Sequence, residues 1–163
     1  MGLKLFSWRR RAKQAHEEPL PQNLLVPFAN TPDDREVLRQ ACDWARVFDA
    51  KLTVVCLVEV SRSVCLDDCP PERLKPGETF AAAAREIAEE MGIKDLAVEV
   101  RPVHRYGHAL VQVVQELQAD LLFMAVDYHR RRAEYTMDDT ISIVLRKVPC
   151  QVWLYGTPEE ADG

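Results

Sequence analysis

The sequence predicts a doubly wound α/β domain, with a five-stranded parallel sheet covered by helices on both faces. Apolar, strand-like runs alternate with helix-like runs from Asn23 to Tyr155, and such alternation requires right-handed crossovers and a parallel sheet. Two of the runs, KLTVVCLVEV (Lys51 to Val60) and DLLFMAV (Asp120 to Val126), are almost unbroken apolar sequence. Strands buried on both faces read this way because neither face meets water. The chain's 163 residues and 47% apolar content suit one domain with a real core.

The first element, NLLVPFA (Asn23 to Ala29), is a short apolar run stopped by Pro27 and NTPDD. Thr31 is a good N-cap, Pro32 fits a first helical turn, and Asp33 and Asp34 suit the positive end of the helix dipole. Val37, Leu38, Ala41, Trp44, Ala45 and Phe48 then recur at helical spacing. After the second strand, SRSVCLDDCPPERLKPGE reads as a long polar loop with three prolines. The next helix carries Phe80, Ala83, Ala84, Ile87, Ala88 and Met91 and stops at Gly92, a C-terminal cap. LAVEVRPV (Leu96 to Val103) alternates apolar and polar residues as an edge strand does. A turn at Gly107 leads to a helix with Leu110, Val113, Val114 and Leu117 on one face. Following the fourth strand and a long loop, TISIVLRKV is a short helix with Ile141, Val144 and Leu145 inward, and CQVWLY (Cys150 to Tyr155) is the closing strand.

Bulk properties exclude several roles. The formal net charge of −5 argues against nucleic acid as a partner, since phosphate binding needs a basic surface. No apolar run approaches the roughly 20 residues of a membrane span. Five cysteines, an odd count with no signal peptide ahead of them, fit a reducing cytoplasm. Residues 1–22 form a basic N-terminal segment, expected to be disordered, in which Leu3, Leu5, Phe6 and Trp8 precede Arg9, Arg10, Arg11 and Lys13. That pattern suits weak peripheral contact with an anionic membrane surface. Residues 157–163 are a short acidic tail, leaving 23–156 as the domain.

Ligands of a doubly wound sheet sit beyond the carboxyl ends of the strands, at the point where strand order reverses. With the first strand beside the fourth, the crevice falls between PFANTPDD and AVDYHRRR. Its candidate residues are Pro27, Phe28, Ala29 and Asn30 on one side, with Val126, Asp127, His129 and Arg130 on the other; Asp138 and Asp139 stand at the start of the last helix.

NLLVPFANTPDDREVLRQACDWARVFDAKLTVVCLVEV, YGHALVQVVQELQADLLFMAV and VLRKVPCQVWLY, in that order, resemble three segments of the universal stress protein family. The resemblance implies a flavodoxin-like sheet of order 3-2-1-4-5 and a homodimer formed through the last strand, here Val152, Trp153, Leu154 and Tyr155. It also implies a possible ATP site, made in some members by an Asp after the first strand and a G-x-x-G-(nine residues)-G-S/T loop. Ala29 stands in place of that Asp, Asp127 and Arg130 in place of the first two glycines, and Asp138 and Asp139 in place of the final pair.

These departures weigh against ATP. A phosphate loop works because glycines let backbone N–H groups turn toward the anion at a helix N-terminus. Asp138 and Asp139 already compensate that helix end, and each close like-charge pair would cost a phosphate roughly 1 kcal/mol or more. His129, Arg130, Arg131 and Arg132 offer an alternative grip through side chains, against their reading as a solvated loop paired with Glu134. The expectation is a regulatory, non-enzymatic domain with no cofactor and a degenerate nucleotide site; the alternative is a nucleotide-binding stress protein using arginines. VPFANTPDD is also similar to universal stress domains appended to permeases and antiporters, which implies a cytoplasmic regulator beside a membrane transporter, peripheral to the inner membrane.

Other constellations carry less. Cys65 and Cys69 flank LDD, but a structural zinc site wants four ligands and no second pair stands nearby, so no metal is expected. A thiol redox role for the pair stays open. His104, His108 and Tyr106 lack an accompanying nucleophile motif, so no catalytic residue is assigned.

Overall fold

The computed structural model describes residues 19–126, 129–131, 134–136 and 139–156, the two three-residue segments by backbone alone. The basic stretch before residue 19, the acidic tail 157–163, Asp127, Arg132 and Asp138 lie outside the described residues, as do the side chains of His129, Arg130 and Arg131.

Strands β1 (Asn23–Pro27), β2 (Lys51–Glu59), β3 (Ala97–Val103), β4 (Leu121–Ala125) and β7 (Gln151–Tyr155) form one parallel sheet in the order β3-β2-β1-β4-β7. Numbered within that sheet alone, this is 3-2-1-4-5. Helices α1 (Pro32–Phe48) and α2 (Pro71–Glu90) cover one face, with Val37, Leu38, Ala41, Ala84 and Ile87 buried against Leu24, Val26 and Phe123. Helices α3 (Tyr106–Glu116) and α4 (Asp139–Lys147) cover the other, with Leu110, Val114 and Val144 on Leu25, Val55 and Leu122. Alternate residues of each central strand thus feed opposite cores, which is why β2 and β4 have no polar side to show.

The start of α1 is built as its sequence suggests. Thr31 Oγ1 accepts from Asp34 N at 3.1 Å, while Asp34 Oδ2 accepts from Thr31 N at 3.3 Å, a reciprocal capping box. Asp120 ties the far end of the sheet together. Its carboxylate accepts from Gln22 N at 2.9 Å and Asn23 N at 3.0 Å, pinning the entry of β1 to that of β4.

Four local expectations are corrected. The polar loop ends at Pro70, because α2 starts at Pro71 and continues through Pro76. Proline is tolerated at Pro71, where the missing N–H is an orphan anyway, and Pro76 sits one residue before a tight contact with the sheet described below. Gly107 is no turn but lies in the first turn of α3, where a Cβ would come within 3.3 Å of Thr140 Cα on α4. Leu145 is 48% exposed rather than inward, leaving Ile141 and Val144 as the buried residues of α4. The long loop after β4 contains an antiparallel hairpin, β5 (His129–Arg131) with β6 (Glu134–Thr136), that no periodicity announced.

Candidate functional site

The crevice arises from where the backbone ladders end. Between β1 and β4 the register pairs Leu24 with Leu121 and Leu25 with Leu122 and goes no further. Beyond it each strand follows its other neighbour, Phe28 N donating to Val55 O at 3.0 Å and Val126 N to Tyr155 O at 2.7 Å. The two strands therefore part at their carboxyl ends and leave a cavity of about 390 Å³. Strand-order reversal puts it at the position expected for a ligand in this architecture.

Pro27 forms one wall and Met124 and Ala125 the other, with Thr140 and Ile141 of α4 closing the side. Asp34, Glu59 and Tyr106 supply its polar groups. Among the described residues that line it, the charged ones are the two acids. Of the positions the sequence pointed to, Pro27 lines the crevice, and the other described ones lie beside it. Phe28 is 1% exposed, its ring packed in the core under α1. Ala29 turns its N–H onto Asp34 Oδ2 at 2.9 Å. Asn30 adopts the left-handed region at φ 60°, where its short amide is tolerated, and its Oδ1 accepts from Arg35 Nη1 at 2.9 Å. Val126 is buried. Asp139 opens α4 and faces an adjoining depression shared with Arg105, His108 and Arg146.

Asp34 is the residue that sequence reasoning used only as a helix cap. Burial holds its carboxyl above the ordinary 3.8, although hydrogen bonds from Ala29, from the Thr31 N–H and from the Thr31 hydroxyl pull it back down; the charge of Asp33 raises it further. The signal was present in T-P-D-D, whose fourth residue completes a capping box, but a cap and a crevice wall look alike in one dimension. Tyr106 was passed over because it has no motif. Burial, reinforced by the nearby charge of Asp34, pushes its phenol far above the usual range, so Tyr106 offers a neutral O–H donor throughout the physiological range. Glu59 became visible only when β2 was found to end at the crevice.

The raised carboxyl of Asp34 sets a pH dependence with a definite sign. A folded-state value above the unfolded one means that the native protein holds this proton more tightly, so stability from the group is fully present at low pH and declines as pH rises through 3.8 toward the raised value. Asp34→Asn keeps an oxygen for the Ala29 and Thr31 N–H groups and removes the titration. Urea unfolding of both proteins is expected to show wild type losing stability relative to Asp34→Asn as pH rises above that lower limit. A constant difference between the two proteins would refute the assignment.

The remaining candidates stay apart. His104 Nε2 donates to Val64 O at 2.8 Å, and His108 lies half-buried on the first turn of α3. No group of three or more His, Cys, Asp or Glu side chains is placed to hold a metal ion among the described residues. No described helix is long and apolar enough to cross a membrane.

Comparison with known proteins agrees with this architecture. The chain matches the Universal stress protein family over residues 21–156. No curated protein sequence matches it significantly. Among solved structures, a universal stress protein in complex with cAMP superposes with a TM-score of 0.68 at 18% identity, covering 86% of this chain and all 100% of that one. The universal stress protein from Archaeoglobus fulgidus in complex with dAMP gives 0.63 at 14% identity, over 83% of this chain and 98% of that one. A family protein from Arabidopsis thaliana with AMP bound gives 0.59 at 9% identity, over 87% and 97%. At these identities the likeness is one of fold. With the family match spanning residues 21–156 and the sheet order, both faces and the carboxyl-end crevice in agreement, the chain belongs to the universal stress protein family.

Proposed function

We propose that this chain is a regulatory, non-enzymatic member of its family that does not hold ATP in the crevice and acts through contact with other proteins. One observation carries the reading: the charged groups lining the described crevice are the carboxylates Asp34 and Glu59, with the Asp139 carboxylate beside it at the start of α4. A triphosphate entering the crevice would face the like charge of Asp34 and Glu59, and the backbone donors nearest β1 are committed, Ala29 N and Thr31 N both donating to Asp34. Isothermal titration with Mg-ATP is expected to give no saturable heat up to about 1 mM, the concentration that corresponds to roughly 4 kcal/mol of binding. Saturable binding in the micromolar range would defeat the reading.

A second reading is favoured by the company the fold keeps. The three structural neighbours described above were solved with cAMP, dAMP and AMP, each bearing a single phosphate group. The cavity of about 390 Å³ lies within the general range of small-molecule sites, roughly 300–1,000 Å³. The same titration with AMP separates the two readings, since saturable binding of AMP without ATP would support a mononucleotide site.

The dimer belongs to the same proposal. Strand β7 pairs with β4 on one side, and among the described residues nothing pairs with its other side. Val152, Trp153, Leu154 and Tyr155 are all half-buried, an apolar edge that a second copy would cover. Sedimentation equilibrium at micromolar concentration is expected to show a dimer; a strict monomer would remove this part of the proposal.

A further inference from the structure

The five cysteines fall into two sets. Cys42 and Cys56 are wholly buried, their thiols pushed up to about 11 chiefly by burial, and the half-buried Cys150 is raised for the same leading reason. Such thiols are protonated and shielded, and do not react readily. Cys65 is exposed and Cys69 partly so, and both lie in the eleven residues between β2 and α2.

That connection has fixed ends and a folded middle. Val60 N donates to Val103 O at 2.8 Å, Val64 N closes a turn onto Ser61 O at 2.9 Å, and Val64 O is held by His104 Nε2. Cys69 stands immediately before Pro70 and the first turn of α2. Between the two cysteines the chain reverses in a turn at Asp67 and Asp68. A turn of that kind brings the Cα atoms of Leu66 and Cys69 within about 7 Å, with Cys65 one residue before it, while a disulfide requires Cα atoms roughly 4.4–6.8 Å apart. Each of the two thiols has the other as its nearest cysteine along the chain, four residues away.

We propose that Cys65 and Cys69 form an oxidisable dithiol site, closed to an intramolecular disulfide by hydroperoxides. One thiolate attacks the peroxide, forming an S–O bond as the O–O bond breaks and the distal oxygen leaves, protonated, as water. The second thiolate then attacks the sulfenic sulfur, forming the S–S bond and releasing the second water. Two thiols lose two protons and two electrons overall, and one hydrogen peroxide becomes two waters. The pair brackets Leu66 and Asp67, which wall a cavity of about 490 Å³ together with His104, Arg105 and His108. Closing the disulfide thus alters the wall of a second surface pocket, separate from the crevice at the carboxyl ends of β1 and β4. The inference stands whether or not that crevice binds anything.

Trypsin places both thiols in one peptide, Ser63 to Arg73, so the test is direct. The reduced full-length protein is treated with a small excess of hydrogen peroxide, alkylated under denaturing conditions and digested. The expected result is a peptide lighter by two hydrogens that takes up no alkylating agent, from a protein that remains uncrosslinked on a non-reducing gel. Cys42 and Cys56 should oxidise about tenfold or more slowly. Cys65→Ser and Cys69→Ser each abolish the closure and leave the remaining thiol carrying added oxygen. Oxygen addition to the wild-type peptide without disulfide closure, a disulfide between two chains through either cysteine, or earlier oxidation at Cys42, Cys56 or Cys150 would overturn the proposal.

Discussion

Phe123→Ala is expected to cost about 3–5 kcal/mol of stability, the range for truncating a buried aromatic whose surroundings cannot collapse. Phe123 is 0% exposed in the middle of β4, and its ring is held edge-on by two tryptophans. Its centroid lies 5.6 Å from that of Trp44 on α1 at 76° and 5.0 Å from that of Trp153 on β7 at 72°. T-shaped pairs of this kind add about 0.5–1.5 kcal/mol each beyond the area they bury. Both partners are stiff, and the tryptophans also meet each other at 6.3 Å, so neither can swing in to fill the vacated space without leaving its own contacts. The closing strand depends on this cluster, because among the described residues β7 pairs with β4 alone and reaches the core under α1 through Trp153 and Tyr155. Urea denaturation followed by tryptophan fluorescence reads the loss at the two rings concerned, and Phe123→Leu should retain more of the stability. A cost below about 1 kcal/mol for Phe123→Ala would mean that the aromatic cluster is not a cooperative part of the core.

This cluster also shows what a sequence can and cannot disclose. The alternation in QVWLY placed Trp153 and Tyr155 on one face and Val152 and Leu154 on the other, and the structure assigns the two pairs to opposite cores. Periodicity is a property of the chain itself, so it survives folding wherever burial is one-sided or complete. The unbroken runs of β2 and β4, the capped start of α1 and the edge character of β3 were legible on that ground. Contacts between distant segments leave no such trace. Gly107 reads as a turn until α4 arrives against it, and Leu145 reads as inward because a helical repeat cannot say how much of its stripe a nine-residue helix will cover. In the crevice, sequence located the two strand ends and Pro27 but not the polar side chains. Asp34, Glu59, Tyr106 and Thr140 come from four separate elements or their ends, and what unites them is the point where the β1–β4 ladder stops.

The widest gap between sequence and structure, the early start of α2, leads to a second large effect. Gly77→Ala is expected to destabilise the protein by about 1–3 kcal/mol, although alanine is the better helix former and exposed helical sites normally gain up to about 1 kcal/mol from that exchange. A Cβ at Gly77 would stand 2.5 Å from Val100 Cγ1 and 2.6 Å from Val58 Cγ2, well inside van der Waals contact. Neither methyl can rotate away cheaply, because valine is stiff at χ1 and both belong to strands hydrogen-bonded to each other along the β2–β3 ladder. The helix itself would have to lift, reducing the burial of Ala81, Ala84 and Ile87 further along the same face. Lys75-Pro76-Gly77 reads as a turn in one dimension because Pro and Gly break helices. Here the absence of a side chain lets the helix press onto the sheet, and tertiary burial overrides the local preference. Val100→Ala in the Gly77→Ala background removes one of the two clashing methyls, so the double variant should lose less than the sum of the single losses. Chemical denaturation of the four proteins measures that coupling, and strict additivity would show that Gly77 and Val100 do not press on each other.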